Sequence, residues 1–190
     1  MEKPIKIAFV GTTTIGKTTL IEHYKDRFAS NPHVALIDEA GRVFFEKHKI
    51  RTEDRLSYSI QRRIQTEIIK NEQRAHSNNP ELILCDRSVL DAIVYCQVGG
   101  DFTGSNRLWH RVRNWIPSYT HILLLDPTGI PFQPDQIRQE NLQARQNIHD
   151  TFESFFQNTG IPYTLLNGTL EEKISFVDDI INKKKPSTFY

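Results

Sequence analysis

Cysteine is scarce in this 190-residue chain, which has only Cys85 and Cys96. Cys85 closes an apolar strand-like run and Cys96 sits inside an apolar helix-like run. Both read as buried thiols of a reducing compartment, and a disulfide framework is excluded. Long hydrophobic runs are also missing: none approaches the ~18 residues of a membrane span. Nor does one sign of charge dominate. The 24 basic and 23 acidic residues leave a net charge of +1, without the basic excess or stripe of a nucleic-acid footprint. Met1-Glu2-Lys3-Pro4 runs straight into an apolar segment, so no signal peptide is expected. A cytoplasmic protein without nucleic-acid or membrane partners is the expectation. No internal repeat or dividing linker occurs. With 38% hydrophobic residues the chain can bury a real core, and its length suits one domain.

What is present begins with Gly11-Thr12-Thr13-Thr14-Ile15-Gly16-Lys17-Thr18. It fits G-x-x-x-x-G-K-[ST], the phosphate-cradling P-loop. The context fits too, with the apolar run Ile5 to Val10 before it and an amphipathic run from Thr18 to Phe28 after it. Gly11 and Gly16 allow a tight turn whose successive N–H groups point inward. The following helix aims its positive dipole end at the same spot. Lys17 then reaches the β- and γ-phosphates, and the Thr18 hydroxyl ligates Mg²⁺. Thr19 is a weaker candidate for the same cradle.

Five short apolar runs each end in polar residues. The first helix is expected from about Lys17 to Ala29. Val34 to Ile37 delivers Asp38, Glu39 and Arg42 at its end, and Val43 to His48 begins a helix. In an open parallel sheet the ligand crevice lies at the carboxyl ends of the strands. Arg51 to Ser77 reads as one helix with Leu56, Ile60, Ile64 and Ile68 inward. Gln61, Gln65, Glu72 and Gln73 lie on or beside that face and are expected to be mostly solvated. Leu82 to Cys85 leads into Asp86-Arg87-Ser88. Asp86 fits a Walker B acid serving magnesium; a helix N-cap is the bland alternative. Arg87 offers planar, bidentate donors suited to phosphate, and Asp91 follows one turn into the next helix.

Gly99 to Gly104 reads as a flexible break, and Asn106 to Ile116 as a short helix. Trp109 and Trp115 there suit packing better than a shelf for a base. His121 to Leu125 is the fourth strand. A breaker-rich loop follows, then a helix from Gln136 to Gln157. Arg138 and Arg145 stand seven residues apart at its front, on one face. Pro162 to Leu166 is the fifth strand. Asn167-Gly168 then turns before a last helix, Leu170 to Asn182. The domain is expected over 1–185, with a small helical lid at about 128–147 and a tail at 186–190.

The pattern implies an α/β fold with a parallel sheet and helices on both faces. GTPase signatures are absent, since Asp126-Pro127-Thr128 follows the fourth strand where Asn-Lys-x-Asp would stand. The combined motifs resemble P-loop nucleoside and nucleotide kinases. The chain is most similar to small AAA-type ATP-binding proteins related to the ribosylnicotinamide kinase domain of the NAD-biosynthesis regulator. Deoxynucleoside kinases are more distant. The likeness rests on Gly11–Thr18, on Asp38 to Arg42, on Asp86 to Ala92 and on the Arg138–Arg145 segment. It departs at Asp86, where the deoxynucleoside kinases carry Glu. It implies a P-loop NTPase three-layer α/β/α sandwich of strand order 2-3-1-4-5.

On that resemblance ATP and Mg²⁺ are the expected cofactors. Gly11 through Thr19 would hold the nucleotide with Asn167 near the adenine, and Thr18 and Asp86 would hold the metal. Lys17, Arg87, Arg138 and Arg145 would gather on the phosphates. Glu39 is the candidate base, with Asp38 as the fallback, and Asp38, Arg42 and Asp91 would touch a small acceptor such as a nucleoside. Two function classes stand at this point. One is a kinase acting on a small molecule; the other is a regulatory ATP-binding module that works through a protein partner. A homodimer is compatible with either.

Overall fold

The computed structural model describes residues 3–131 and 141–183. Five strands form one sheet: β1 (Ile5–Val10), β2 (Val34–Ile37), β3 (Leu82–Asp86), β4 (His121–Leu125) and β5 (Thr164–Leu166). Their order is β2-β3-β1-β4-β5 and every pairing is parallel. The helices are α1 (Lys17–Arg27), α2 (Ala40–His48), α3 (Tyr58–Ser77), α4 (Val89–Val98), α5 (Phe102–Val112), α6 (Leu142–Thr159) and α7 (Leu170–Lys183). This is the α/β/α sandwich and strand order that the family resemblance implied.

Side-chain alternation splits the core into two layers. Ile5, Ile7 and Phe9 of β1, Leu82 and Leu84 of β3, and Leu123 and Leu125 of β4 pack with α1 and α7. Their neighbours Ala8, Val10, Ile83, Cys85, Ile122 and Leu124 pack with helices α2 to α6. Both cysteines are buried free thiols. Among the described residues no helix is long and apolar enough to cross a membrane.

Several boundaries differ from expectation. The segment from Arg51 splits into a 3₁₀ turn, Thr52–Asp54, and α3, which starts only at Tyr58. The Gly99–Gly104 break is shorter than expected. Asp101 accepts the Gly104 N–H at 2.7 Å and so caps α5, which already begins at Phe102. Asn141 caps α6 through the Ala144 N–H, so that helix begins at Leu142 rather than Gln136. Residues 132–140 of the expected lid, including Arg138, lie outside the described residues.

The larger correction concerns polarity inside the core. Gln61, Gln65 and Glu72 are buried, not solvated. Gln61 Nε2 donates to the Arg55 carbonyl at 2.6 Å. Glu72 is fully buried and pairs with Lys6, an equally buried residue of β1. Glu72 also accepts from Trp115 Nε1 and from the Tyr119 hydroxyl, each at 2.6 Å. The Lys6 ammonium lies over the Trp115 and Tyr119 rings at 5.1 and 4.4 Å and donates to Ser118 Oγ at 2.9 Å. Trp115 thus serves a buried ion pair, and Trp109 packs edge-on against Phe155. Replacing Lys6 with Met leaves the Glu72 charge buried without its countercharge. The expected loss is about 3–5 kcal/mol of unfolding free energy, read from urea denaturation.

Candidate functional site

Two features of the loop from Gly11 to Gly16 decide its shape. Gly11 and Gly16 have φ of 127° and 85°, and Thr14 sits at φ 54° although it carries a Cβ. Such backbone persists where the surroundings enforce it. Part of that enforcement is Ile15, whose side chain is buried in the α1 layer and anchors the loop. The Thr14 hydroxyl is buried with no partner among the described residues. No side chain caps α1, whose N-cap is Gly16. The free N–H groups of a helix start of this kind suit an anion. Lys17 Nζ donates to the Gly11 carbonyl at 3.1 Å and to the Thr12 carbonyl, so the ammonium lies along the loop. A cavity of about 170 Å³ opens here, lined by Thr13 through Thr19 together with Glu39, Arg42 and Arg87.

Alternation along β3 brings Asp86 to this loop. Asp86 continues the Leu82–Leu84 row facing α1, and its Oδ2 accepts from Thr18 Oγ1 at 3.2 Å. Its Oδ1 is buried with no partner among the described residues. Burial raises the Asp86 carboxyl above the ordinary aspartate value, against the pull of Lys17 and Arg87. An orphaned carboxylate oxygen beside a hydroxyl fits a divalent cation that takes its other ligands from phosphate and water. Among the described residues no cluster of three metal-binding side chains occurs, so an all-protein metal cage is not the arrangement here. Asp86 is also not the helix N-cap; Ser88 is, through a capping box with Asp91.

The same alternation separates Asp38 from Glu39. Asp38 continues the Val34–Leu36 row toward α1, pairs with Lys25 and is 64% exposed. Glu39 turns the other way and is buried at the start of α2. There Glu39 Oε1 accepts from Arg87 Nε at 2.6 Å. Arg87 has φ 82° and its guanidinium is buried. Arg87 Nη1 also donates to Asp91 Oδ1 at 3.0 Å, to the Gly11 carbonyl at 3.0 Å and to the Tyr95 hydroxyl at 3.3 Å. Burial opposes the Arg87 charge, but Tyr95, Asp91 and Asp86 outweigh it and raise its pKa.

On the other side of Glu39 and Arg87 lies a second cavity of about 230 Å³. Phe45, Leu56, Ile64, Ile68, Tyr95 and Ile148 supply its apolar walls. Polar groups collect at Glu39, Arg87 and Asp91, with Arg55, Thr52 and Gln61 also in the lining. Sequence reasoning missed Tyr95, Phe45 and Arg55. For Phe45 and Tyr95 the signal was positional, since each lies on the helix that follows a strand end carrying a site residue; Arg55 closes the 3₁₀ turn after α2 and carried no such signal.

Several sequence-derived candidates take other places. Asp38 faces the outer side, so the fallback base is not beside Arg87. Arg42 lines the P-loop cavity and is not in the lining of the apolar one. Asp91 sits at the apolar cavity's end and is tied to Arg87 and to the Ser88 N–H. Arg145 is buried and donates to the Pro127 and Ile130 carbonyls at 3.2 and 2.9 Å, bracing the chain after β4. It lines neither cavity. Asn167 is exposed after β5.

A family profile described as an AAA domain matches residues 6–173. The chain belongs to that AAA-domain family. No curated protein sequence matches it. Among solved structures it is similar to the NadR protein in complex with NR, at 17% identity and a TM-score of 0.76. That match covers 98% of this chain and 54% of NadR, so the chain spans about half of NadR's length. It is also similar to deoxyadenosine kinase from M. mycoides with bound dATP, at 16% identity and a TM-score of 0.64, covering 94% and 99% of the two chains. Thymidylate kinase from Candida albicans matches at 16% identity and a TM-score of 0.64, covering 95% and 92%. At these identities the AAA-domain protein shares their fold.

Replacing Asp86 with Asn removes a buried charge whose raised pKa marks it as a cost to the folded state above that pKa. The nucleotide-free variant is expected to melt at or above the wild-type temperature at pH 7.5. If Asp86 holds Mg²⁺ beside a bound nucleotide, stabilisation by Mg·ATP over ATP alone should disappear in the variant; differential scanning fluorimetry reads both.

Proposed function

We propose that this AAA-domain protein is an ATP-dependent phosphotransferase. It transfers the γ-phosphoryl group of Mg·ATP to a hydroxyl of a small molecule, a nucleoside or nucleoside-like acceptor. The observation that carries the reading is the meeting of two cavities at one ion pair. Glu39 and Arg87 line both the P-loop cavity and the apolar cavity. A phosphate held on one side and a small molecule held on the other would therefore meet at a carboxylate and a guanidinium.

Phosphoryl transfer depends on positioning and on charge stabilisation more than on covalent chemistry. The loop amides, the start of α1 and Lys17 bind the polyphosphate. Thr18 and Asp86 would hold Mg²⁺, which when bound neutralises charge on the β- and γ-phosphates. Glu39 accepts the proton of the attacking hydroxyl as its oxygen bonds to the γ-phosphorus and ADP leaves. Arg87, beside it, stabilises the charge spread over the equatorial oxygens. Arg42, on the phosphate side, adds positive charge there. The apolar walls take the body of the acceptor and exclude water, which limits hydrolysis. The kinases that share the fold support this class of reaction.

A second reading draws on the AAA-domain family description: a module that hydrolyses ATP and acts on a protein partner. It shares the P-loop and differs in output. An acceptor screen with γ-labelled ATP and Mg²⁺ over nucleosides and small polyols separates the two. Label transferred to one acceptor class supports the kinase; release of inorganic phosphate with every acceptor supports the module.

Two substitutions test the residues. Lys17→Ala is expected to abolish ATP turnover while the far-UV circular dichroism stays that of the wild type. Glu39→Gln is expected to keep the Kd for Mg·ATP, measured by calorimetry, and to lower transfer by about 100-fold or more. Unchanged transfer by that variant would remove Glu39 from the base role.

A further inference from the structure

The mechanism above makes no use of Tyr119 or Gln65, yet both buried side chains converge on the backbone of one residue. The Val89 N–H donates to the Tyr119 hydroxyl at 3.1 Å, and Gln65 Nε2 donates to the Val89 carbonyl at 3.1 Å. Val89 is the first residue of α4 and stands two residues after Arg87. Each of the two is held from behind. The Tyr119 hydroxyl donates to Glu72, which the buried Lys6 and Trp115 fix in turn. Gln65 Oε1 accepts from Arg111 Nη1 at 3.0 Å.

These bonds are not needed to start the helix. Ser88 and Asp91 already form a complete capping box, and the Leu90 N–H is taken by Ser88 Oγ. What Tyr119 and Gln65 add is a fixed location for the first turn of α4. That location matters because Arg87 is in the left-handed region, where a side chain with a Cβ has no local preference to stay. Rotation of the Val89 peptide would carry the guanidinium away from Glu39.

We propose that Tyr119 and Gln65 are positioning residues for Arg87, acting through the two polar groups of the Val89 backbone. The proposal rests on the reading of Arg87 as a phosphate-side catalytic group. It extends the site to a buried chain, Lys6–Glu72–Tyr119, that touches neither cavity.

A double-mutant cycle tests it, with Mg·ATP turnover followed as ADP release so that no acceptor is required. Tyr119→Phe keeps the ring over Lys6 and deletes only the hydroxyl. At a temperature below every variant's melting midpoint, kcat is expected to fall about tenfold, the kinetic equivalent of one lost hydrogen bond. KM for ATP should stay within about twofold, because the P-loop contacts are untouched. In an Arg87→Ala background the same substitution should cause no further loss of kcat. A lowered melting temperature with unchanged kcat, or equal losses in both backgrounds, assigns Tyr119 to stability alone and overturns the proposal. If Arg87→Ala by itself leaves kcat unchanged, the catalytic reading of Arg87 has failed, and the proposal falls with it by a separate arm. Should Tyr119→Phe fail to fold, Gln65→Met runs the same cycle from the carbonyl side with the same criteria.

Discussion

A buried guanidinium held between two carboxylates organises this molecule. Arg87 joins Glu39 at the end of β2, Asp91 on α4 and the Gly11 carbonyl at the end of β1. Three chain segments far apart in sequence are fixed to one planar group. Buried ion pairs are weak sources of net stability, because desolvation offsets attraction. Their geometric demand is strong, since a carboxylate or arginine left alone in that environment is costly. The arrangement specifies where the strand ends sit relative to one another.

The two helices that begin at the crevice show how the backbone divides its labour. Each opens with N–H groups that have no partner within the helix. At α4 they are consumed internally, by the Ser88 hydroxyl, the Asp91 carboxylate and the Tyr119 hydroxyl. At α1 no side chain plays that part, and the N-cap is a glycine in the left-handed region. Of these two helices, the protein therefore directs the positive end of α1 at the cradle. The same strand alternation then sets Asp86 against Thr18 and sends Asp38 to Lys25 on the outer side.

The sheet's other notable interior is the polar knot of Lys6, Glu72, Trp115, Ser118 and Tyr119 beneath α4. Every carboxylate oxygen of Glu72 has a donor, which keeps the knot from being a liability. The AAA-domain family and the kinases that share the fold agree on the scaffold around it. Function on that scaffold depends on the side chains at the strand ends rather than on the sheet.

How much of this was legible varied with range. The P-loop, the five strands and their order followed from apolar runs, glycine spacing and resemblance, because those signals are local or belong to the whole pattern. The choice of Glu39 over Asp38 was half legible: strand parity separates them, but which parity faces the crevice depends on the sheet's neighbours. The start of α5 was missed because Asp101 caps it from within a glycine-rich stretch that reads as coil. Gln65 and Glu72 were read as solvated, since a polar residue on a helix has no sequence mark for a partner 24 to 66 positions away. The sequence by itself determined the P-loop, because a glycine turn, a lysine and a helix start act within eight residues. Only the tertiary structure decided that Arg87 would close on Glu39 and that Lys6 could be buried. Both depend on charges brought together from distant segments of the chain, and no local pattern encodes such a pairing.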